Sequence, residues 1–199
     1  MFQLSNKTAL VTGAGSGIGR SIAKLFAAQG ARVAALDLDP DQAASTAREI
    51  ESAGGSAFAV QGDVGDADSV ARAFAAVVAH FEQIQILVAN AGIAHVGNLL
   101  GTSEADLDRL YRVNVKGVFL SCKEAVAHML PRGGGVILNM ASIASLIAIE
   151  DRFAYSMTKG AVLTMTRSIA LDYMGKIRCN CLCPARIHTP FVDGFATEE

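Results

Sequence analysis

Lys7-Thr8-Ala9-Leu10-Val11-Thr12-Gly13-Ala14-Gly15-Ser16-Gly17-Ile18-Gly19 is the stretch that decides the fold. A short apolar run, a glycine-rich turn and an amphipathic stretch read in that order as strand, turn and helix. Glycines allow a tight turn and let the backbone approach a pyrophosphate, whose charge suits the free N–H groups at a helix start. A glycine turn alone is a weak signal. Here a second apolar run, Arg32-Val33-Ala34-Ala35-Leu36-Asp37, follows and ends in an acid. A carboxylate at that place can accept the hydroxyls of a ribose.

Outward from this unit, strand and helix patterns alternate. Strands are expected near 8–12, 32–37, 56–61, 86–89, 135–140 and 177–183, and helices near 17–29, 41–53, 67–81, 103–130 and 154–174. The alternation predicts a Rossmann-like α/β fold, a doubly wound parallel sheet with right-handed crossovers and helices on both faces. Asp39-Pro40, Asp66 and the pair Ser103 and Asp106 mark helix starts, while Gly30, Gly54 and Gly133 close segments. The chain shows no repeats, linkers or low-complexity tracts, and its 199 residues suit one domain over 1–199. Ligands of such sheets bind beyond the carboxyl ends of the strands. Asp37, Asp63, Asn90, Ser142 and Pro184 all fall at such ends.

The composition narrows the class. Apolar residues make up 51% of the chain, there are 19 glycines, and the net charge of -2 gives no electrostatic case for nucleic acid or anionic membranes. No apolar stretch reaches the length of a membrane span and the N-terminus lacks a signal-peptide pattern, so a cytoplasmic location is expected. Cys122, Cys179, Cys181 and Cys183 would permit disulfides by number. Three of them alternate along one strand without zinc-like spacing, so they read as small buried hydrophobes, and no metal site is expected.

A second constellation carries chemistry. Tyr155-Ser156-Met157-Thr158-Lys159 should be helical, which stacks Tyr155 and Lys159 on one face, with Ser142 upstream. A cation beside a phenol favours the phenolate and lowers a pKa ordinarily near ~10, so Lys159 is expected to make Tyr155 a usable proton carrier. A half-buried tyrosine beside a solvated lysine is the plainer alternative. Asn114 lies within a helical pattern, where asparagine is a mediocre former unless its side chain has a task or caps the helix.

Taken together, these motifs resemble the short-chain dehydrogenase/reductase family, from Lys7 to about Pro190. They run in the family's order: Thr12 to Gly19, Asp63-Val64, Asn90-Ala91-Gly92, Asn114, Ser142, Tyr155 with Lys159, and Pro184 with Thr189. The resemblance implies an oxidoreductase that interconverts a secondary alcohol and a ketone, with Tyr155 as general acid or base. Ser142 would hold the substrate oxygen, Lys159 would also bind the nicotinamide ribose, and Asn114 would support a proton path. Gly13, Ser16, Gly17, Ile18, Gly19, Asp37, Asp63, Val64, Asn90, Gly92, Pro184, Ile187 and Thr189 would hold the cofactor together with Tyr155 and Lys159. Asp37 would repel the extra phosphate of NADP, so NAD is the expected cofactor. Arg152 and Arg186 are candidate clamps for a carboxylate, pointing to a hydroxy acid or sugar acid, or else are ordinary surface arginines. The resemblance further implies a homodimer or homotetramer paired through the helices near 103–130 and 154–174.

Two departures stand out. Ala185 and Ala89 replace the family's usual glycine and asparagine. The chain also stops at Glu199, where a substrate-covering segment beginning near residue 188 with Phe191, Val192 and Phe195 is expected to continue. A nucleotide-binding regulatory relative with little turnover, or an NADP-dependent carbonyl reductase of lipid synthesis, are the rival readings.

Overall fold

Short runs rich in Val, Leu, Ile and Ala become strands buried on both faces, as parallel sheets require. The computed structural model describes residues 3–193. Its strands are β1 (Thr8–Thr12), β2 (Arg32–Asp37), β3 (Ser56–Gln61), β4 (Ile86–Ala89), β5 (Gly135–Met140) and β6 (Ile177–Leu182). All neighbouring pairs are parallel and the order is β3-β2-β1-β4-β5-β6, so the direction of winding reverses between β1 and β4. This is the expected Rossmann-like fold.

Helices cover both faces. Side chains alternate across each strand, so Leu10 and Val11 serve opposite cores. Leu10 joins Leu36, Leu87 and Ile137 under α3 (Ala67–Phe81), α5 (Gly117–Met129) and α6 (Phe153–Asp172), through Val77, Val118, Met129 and Val162. Val11 joins Val33, Ala35 and Val88 under α1 (Gly17–Ala28) and α2 (Pro40–Ser52), through Ala23, Ala27, Ala47 and Ile50. The expected caps form: Asp39 accepts from the N–H of Asp41 at 2.9 Å, and Asp66 accepts from that of Ser69 at 2.7 Å.

The single helix expected over 103–130 is interrupted. α4 (Glu104–Leu110), capped by Ser103, passes into a π-helical turn, Tyr111–Lys116, before α5 begins. A π turn holds an extra residue in the helix and recurs at functional sites. The buried Asn114 lies inside it, where it caps no helix end. A short helical turn, α7 (Pro190–Asp193), ends the described chain, and Phe195 lies outside the described residues.

The switch point is fastened by a hydroxyl. Thr12, at the end of β1 and 2% exposed, accepts from the N–H groups of Asn90 and Ala91, each at 3.0 Å, just past β4. Asn90 returns the link by donating to the carbonyls of Thr12 at 3.0 Å and Gly13 at 3.2 Å. Thr12→Val keeps the shape and strips two acceptor bonds, so it is expected to cost about 1–3 kcal/mol in urea unfolding. Stability equal to the parent would show that this hydroxyl does not secure the two strand ends.

Candidate active site

The strand ends open into a cleft of about 380 Å³, within the size range of small-molecule sites, and most of the residues singled out above line it. Gly13, Ser16, Gly17 and Ile18 form one end with Asp37, Asp63 and Val64. Asn90, Gly92, Ser142, Tyr155, Lys159, Pro184, Ile187 and Thr189 form the other.

At the first end, the local sequence explains the shape. Gly17 holds φ at 51°, in the left-handed region. Gly19 packs so closely that a Cβ there would stand 2.0 Å from the Gly13 carbonyl oxygen. Ser16 precedes α1 without a side-chain cap bond, so the first-turn N–H groups of this helix have no hydroxyl competing for them. Asp37 accepts from the N–H of Gly15 at 2.8 Å, which orients its carboxylate on the glycine turn. Asp63 accepts from the N–H of Gly65 at 2.8 Å and forms an ion pair with Arg112. Free helix-start donors, a close glycine backbone and a carboxylate at the end of β2 match the phosphates and ribose of a dinucleotide. The donor set fits that group.

At the second end, Ser142, Tyr155 and Lys159 come together from two elements. Ser142 begins the 3-10 turn Ile143–Ser145 after β5, and its oxygen accepts from the N–H of Ala144 at 3.2 Å. Its hydroxyl also stands near enough to Tyr155 to favour the phenolate. Tyr155 and Lys159 stand one turn apart near the start of α6, with the Lys159 Nζ 5.8 Å from the centre of the Tyr155 ring. Asn114, fully buried, donates to the Ile93 carbonyl at 2.9 Å and to the Thr158 hydroxyl at 3.1 Å, while its oxygen accepts from the Ile93 N–H at 2.8 Å.

The charge balance corrects one expectation. Lys159 sends its ammonium to the Met140 carbonyl at 2.8 Å, and the Tyr155 pKa is raised, not lowered. Burial drives that rise. The Ser142 hydroxyl and the nearby Arg152 charge oppose it without reversing it. Burial also pushes the Lys159 amine down to about 8.

The two arginines part company. Arg152 is half-buried at the start of α6 and its charge reaches Tyr155. Its segment is tied to the loop after β4, where Gly97 donates to the Asp151 carbonyl at 2.8 Å. Arg186 stands exposed on the loop after β6, and neither it nor Arg152 is among the residues lining the cleft. A paired clamp of Arg152 and Arg186 is therefore not assembled.

Sequence reasoning also passed over residues that belong here. Arg112 lines the cleft beside Asp63, Met140 supplies the carbonyl that holds Lys159, and Thr158 holds Asn114. Only Thr158 left a usable trace, since a hydroxyl three positions after Tyr155 shares its helix face. Arg112 and Met140 act through the π turn and through a backbone oxygen, and neither leaves a side-chain pattern.

Comparison with known proteins agrees with this geometry. The family model described as short chain dehydrogenase matches residues 7–199. The chain belongs to the short-chain dehydrogenase family. This is a family of oxidoreductases that bind a nicotinamide cofactor and act on CH–OH groups. A 2-(R)-hydroxypropyl-CoM dehydrogenase of Xanthobacter autotrophicus is 46% identical over 190 residues, covering 93% of this chain and 76% of that one. A short-chain dehydrogenase/reductase from Burkholderia phymatum, solved in complex with NAD, superposes with a TM-score of 0.92 at 31% identity, covering 97% of this chain and 70% of that one. A 3-ketoacyl-(acyl-carrier-protein) reductase from Brucella melitensis, complexed with NADH, gives 0.93 at 37% identity, covering 97% and 81%. Among the described residues of this short-chain dehydrogenase, no helix is long and apolar enough to cross a membrane.

The depressed Lys159 pKa has a signed consequence. An unfolded lysine holds its proton up to about 10.4, whereas the folded one releases it near 8. Between those values the unfolded chain binds more protons, so this group makes stability rise with pH across that window. Lys159→Met should flatten the rise in chemical denaturation of the ligand-free protein from pH 8 to 10. An unchanged slope would assign the rise to other groups.

Proposed function

We propose that this chain is an NAD-dependent oxidoreductase that interconverts a secondary alcohol and a ketone, with Tyr155 as general acid or base. The observation that carries the reading is that Ser142, Tyr155 and Lys159 line one cleft whose far end is the glycine turn with Asp37. NAD would be held by the backbone of Gly13 to Gly19, by Asp37, Asp63 and Val64, and by Asn90, Gly92, Lys159, Pro184, Ile187 and Thr189. When bound, it supplies the hydride acceptor for oxidation or the hydride donor for reduction. Asp37 disfavours a second phosphate on the ribose, which supports NAD over NADP.

The residues divide the proton work. Ser142 gives its single hydroxyl proton to the substrate oxygen, and Tyr155 meets the same oxygen, so the two hydroxyls hold the carbinol or carbonyl oxygen between them. In oxidation the hydroxyl proton passes to Tyr155, and in reduction Tyr155 returns it. Burial resists the phenolate, while Ser142 and Arg152 favour it. Lys159 adds a positive charge about one helical turn away whenever it is protonated. Asn114 keeps the loop after β4 in register with this group. Arg152 would receive an anionic group on the substrate, which makes a hydroxy acid or sugar acid the substrate class. Phe119 on α5 and Leu171 on α6 are exposed apolar side chains that support pairing into a homodimer or homotetramer. The four free thiols fit a reducing cytoplasm.

Reduction of NAD or NADP is measured with a panel of 3-hydroxybutyrate, sugar acids and 2-(R)-hydroxypropyl-CoM. Turnover is expected with NAD, and Tyr155→Phe should lose about 100-fold or more in kcat. Tighter NADP than NAD binding would overturn the cofactor reading. Tight NAD binding without turnover by the parent would favour the binding relative.

In a separate series, Arg152→Ala should raise KM about tenfold for acidic substrates and leave the KM of their uncharged analogues unchanged, while any change in kcat through Tyr155 is common to both. Equal effects on both would remove the anion reading.

A further inference from the structure

We propose that Thr158 is a positioning residue, whose hydroxyl fixes the orientation of the Asn114 carboxamide and ties it to the helix bearing Tyr155 and Lys159. The inference rests on the alcohol–ketone reading above.

Thr158 is 1% exposed, and its hydroxyl donates to the Tyr155 carbonyl at 2.8 Å. That bond uses the only proton a threonine hydroxyl has, so toward Asn114 it can act solely as an acceptor. It does so, taking one hydrogen of the Asn114 Nδ2 at 3.1 Å. The second hydrogen of that nitrogen goes to the Ile93 carbonyl at 2.9 Å, and Oδ1 accepts from the Ile93 N–H at 2.8 Å. Both donors of the carboxamide are spent. One acceptor position on Oδ1 remains.

That remaining position has a place in the site. A Cβ added to Gly92 would stand 3.2 Å from the Asn114 Oδ1 and 3.4 Å from the Lys159 Nζ. The free acceptor and the lysine amine therefore border one small space against the cleft-lining Gly92. Rotating the carboxamide by half a turn would put its NH2 there, a donor facing another donor. Thr158 opposes that rotation, and it does so from α6. Three segments, the loop after β4, the π turn and the catalytic helix, meet on one buried network.

The test uses Thr158→Val, which keeps the shape, and Thr158→Ser, which keeps the hydroxyl. In the ¹⁵N-labelled, ligand-free protein, the Asn114 side-chain NH2 pair is assigned by its loss in Asn114→Ala. It should exchange slowly in the parent and in Thr158→Ser, and about tenfold faster or more in Thr158→Val. With the best alcohol of the panel above and NAD, Thr158→Val should lower kcat about tenfold or more, with KM and the NAD dissociation constant within about twofold. Thr158→Ser should recover kcat to within about threefold of the parent. Slow exchange in Thr158→Val, an unchanged kcat, or a loss confined to KM or to NAD binding would overturn the assignment. Should Thr158→Val fail to fold, Thr158→Ala carries the same comparison. If the parent turns over no member of the panel, the alcohol–ketone reading fails by itself, and the exchange rates alone decide whether Thr158 orients Asn114.

Discussion

An amine with 4% of its surface exposed is the constraint around which this site is built. Lys159 enters the protein interior from α6, meets the Met140 carbonyl, and loses much of its hold on its proton. The same burial makes Tyr155 reluctant to give its proton up. Desolvation opposes the charged form of both groups, and each is therefore closer to neutrality than it would be in water. Releasing the phenol proton therefore calls for local changes that favour the phenolate. Arg152 and Ser142 are the neighbours that supply such changes to the phenol.

The sheet makes this arrangement possible because all six strands run the same way. Every strand delivers its following loop to the same edge, and the reversal between β1 and β4 leaves a gap there. Thr12 and Asn90 stitch the gap from either side, so the glycine turn is bonded to the start of the loop that carries Ile93. Ile93 in turn is bonded to Asn114, and Asn114 to α6. The nucleotide end and the proton-handling end of the cleft are thus joined by polar contacts, with the two apolar cores of the sheet serving as the rigid support.

Much of this was legible in the sequence. Alternating apolar runs and glycine punctuation predicted six parallel strands at nearly their observed limits, because burial on both faces leaves little choice of residue type. The glycine turn, Asp37, Ser142, Tyr155 and Lys159 were readable because each contributes a side chain, or the lack of one, at a fixed spacing. What escaped depends on geometry that spacing does not carry. The π turn hides inside an unbroken helical pattern, and the Met140 carbonyl has no residue-specific signature. The direction of the Tyr155 shift was misjudged because sequence places Lys159 one turn away but is blind to the depth of burial. Arg186 failed as a partner for Arg152 because a loop leaving β6 carries it outward.

The π turn at Tyr111–Lys116 has one more implication, for chain length. One residue of a regular helix corresponds to a rotation of about 100°. Removing any single position from this segment would restore ordinary winding, yet it would swing everything on one side of the cut around the helix axis. Either Asn114 would turn away from Ile93, or the apolar stripe of α5 would turn away from the sheet. An amino-acid replacement here changes one side chain and leaves the winding alone, whereas an insertion or deletion forces a choice between the core and the chemistry.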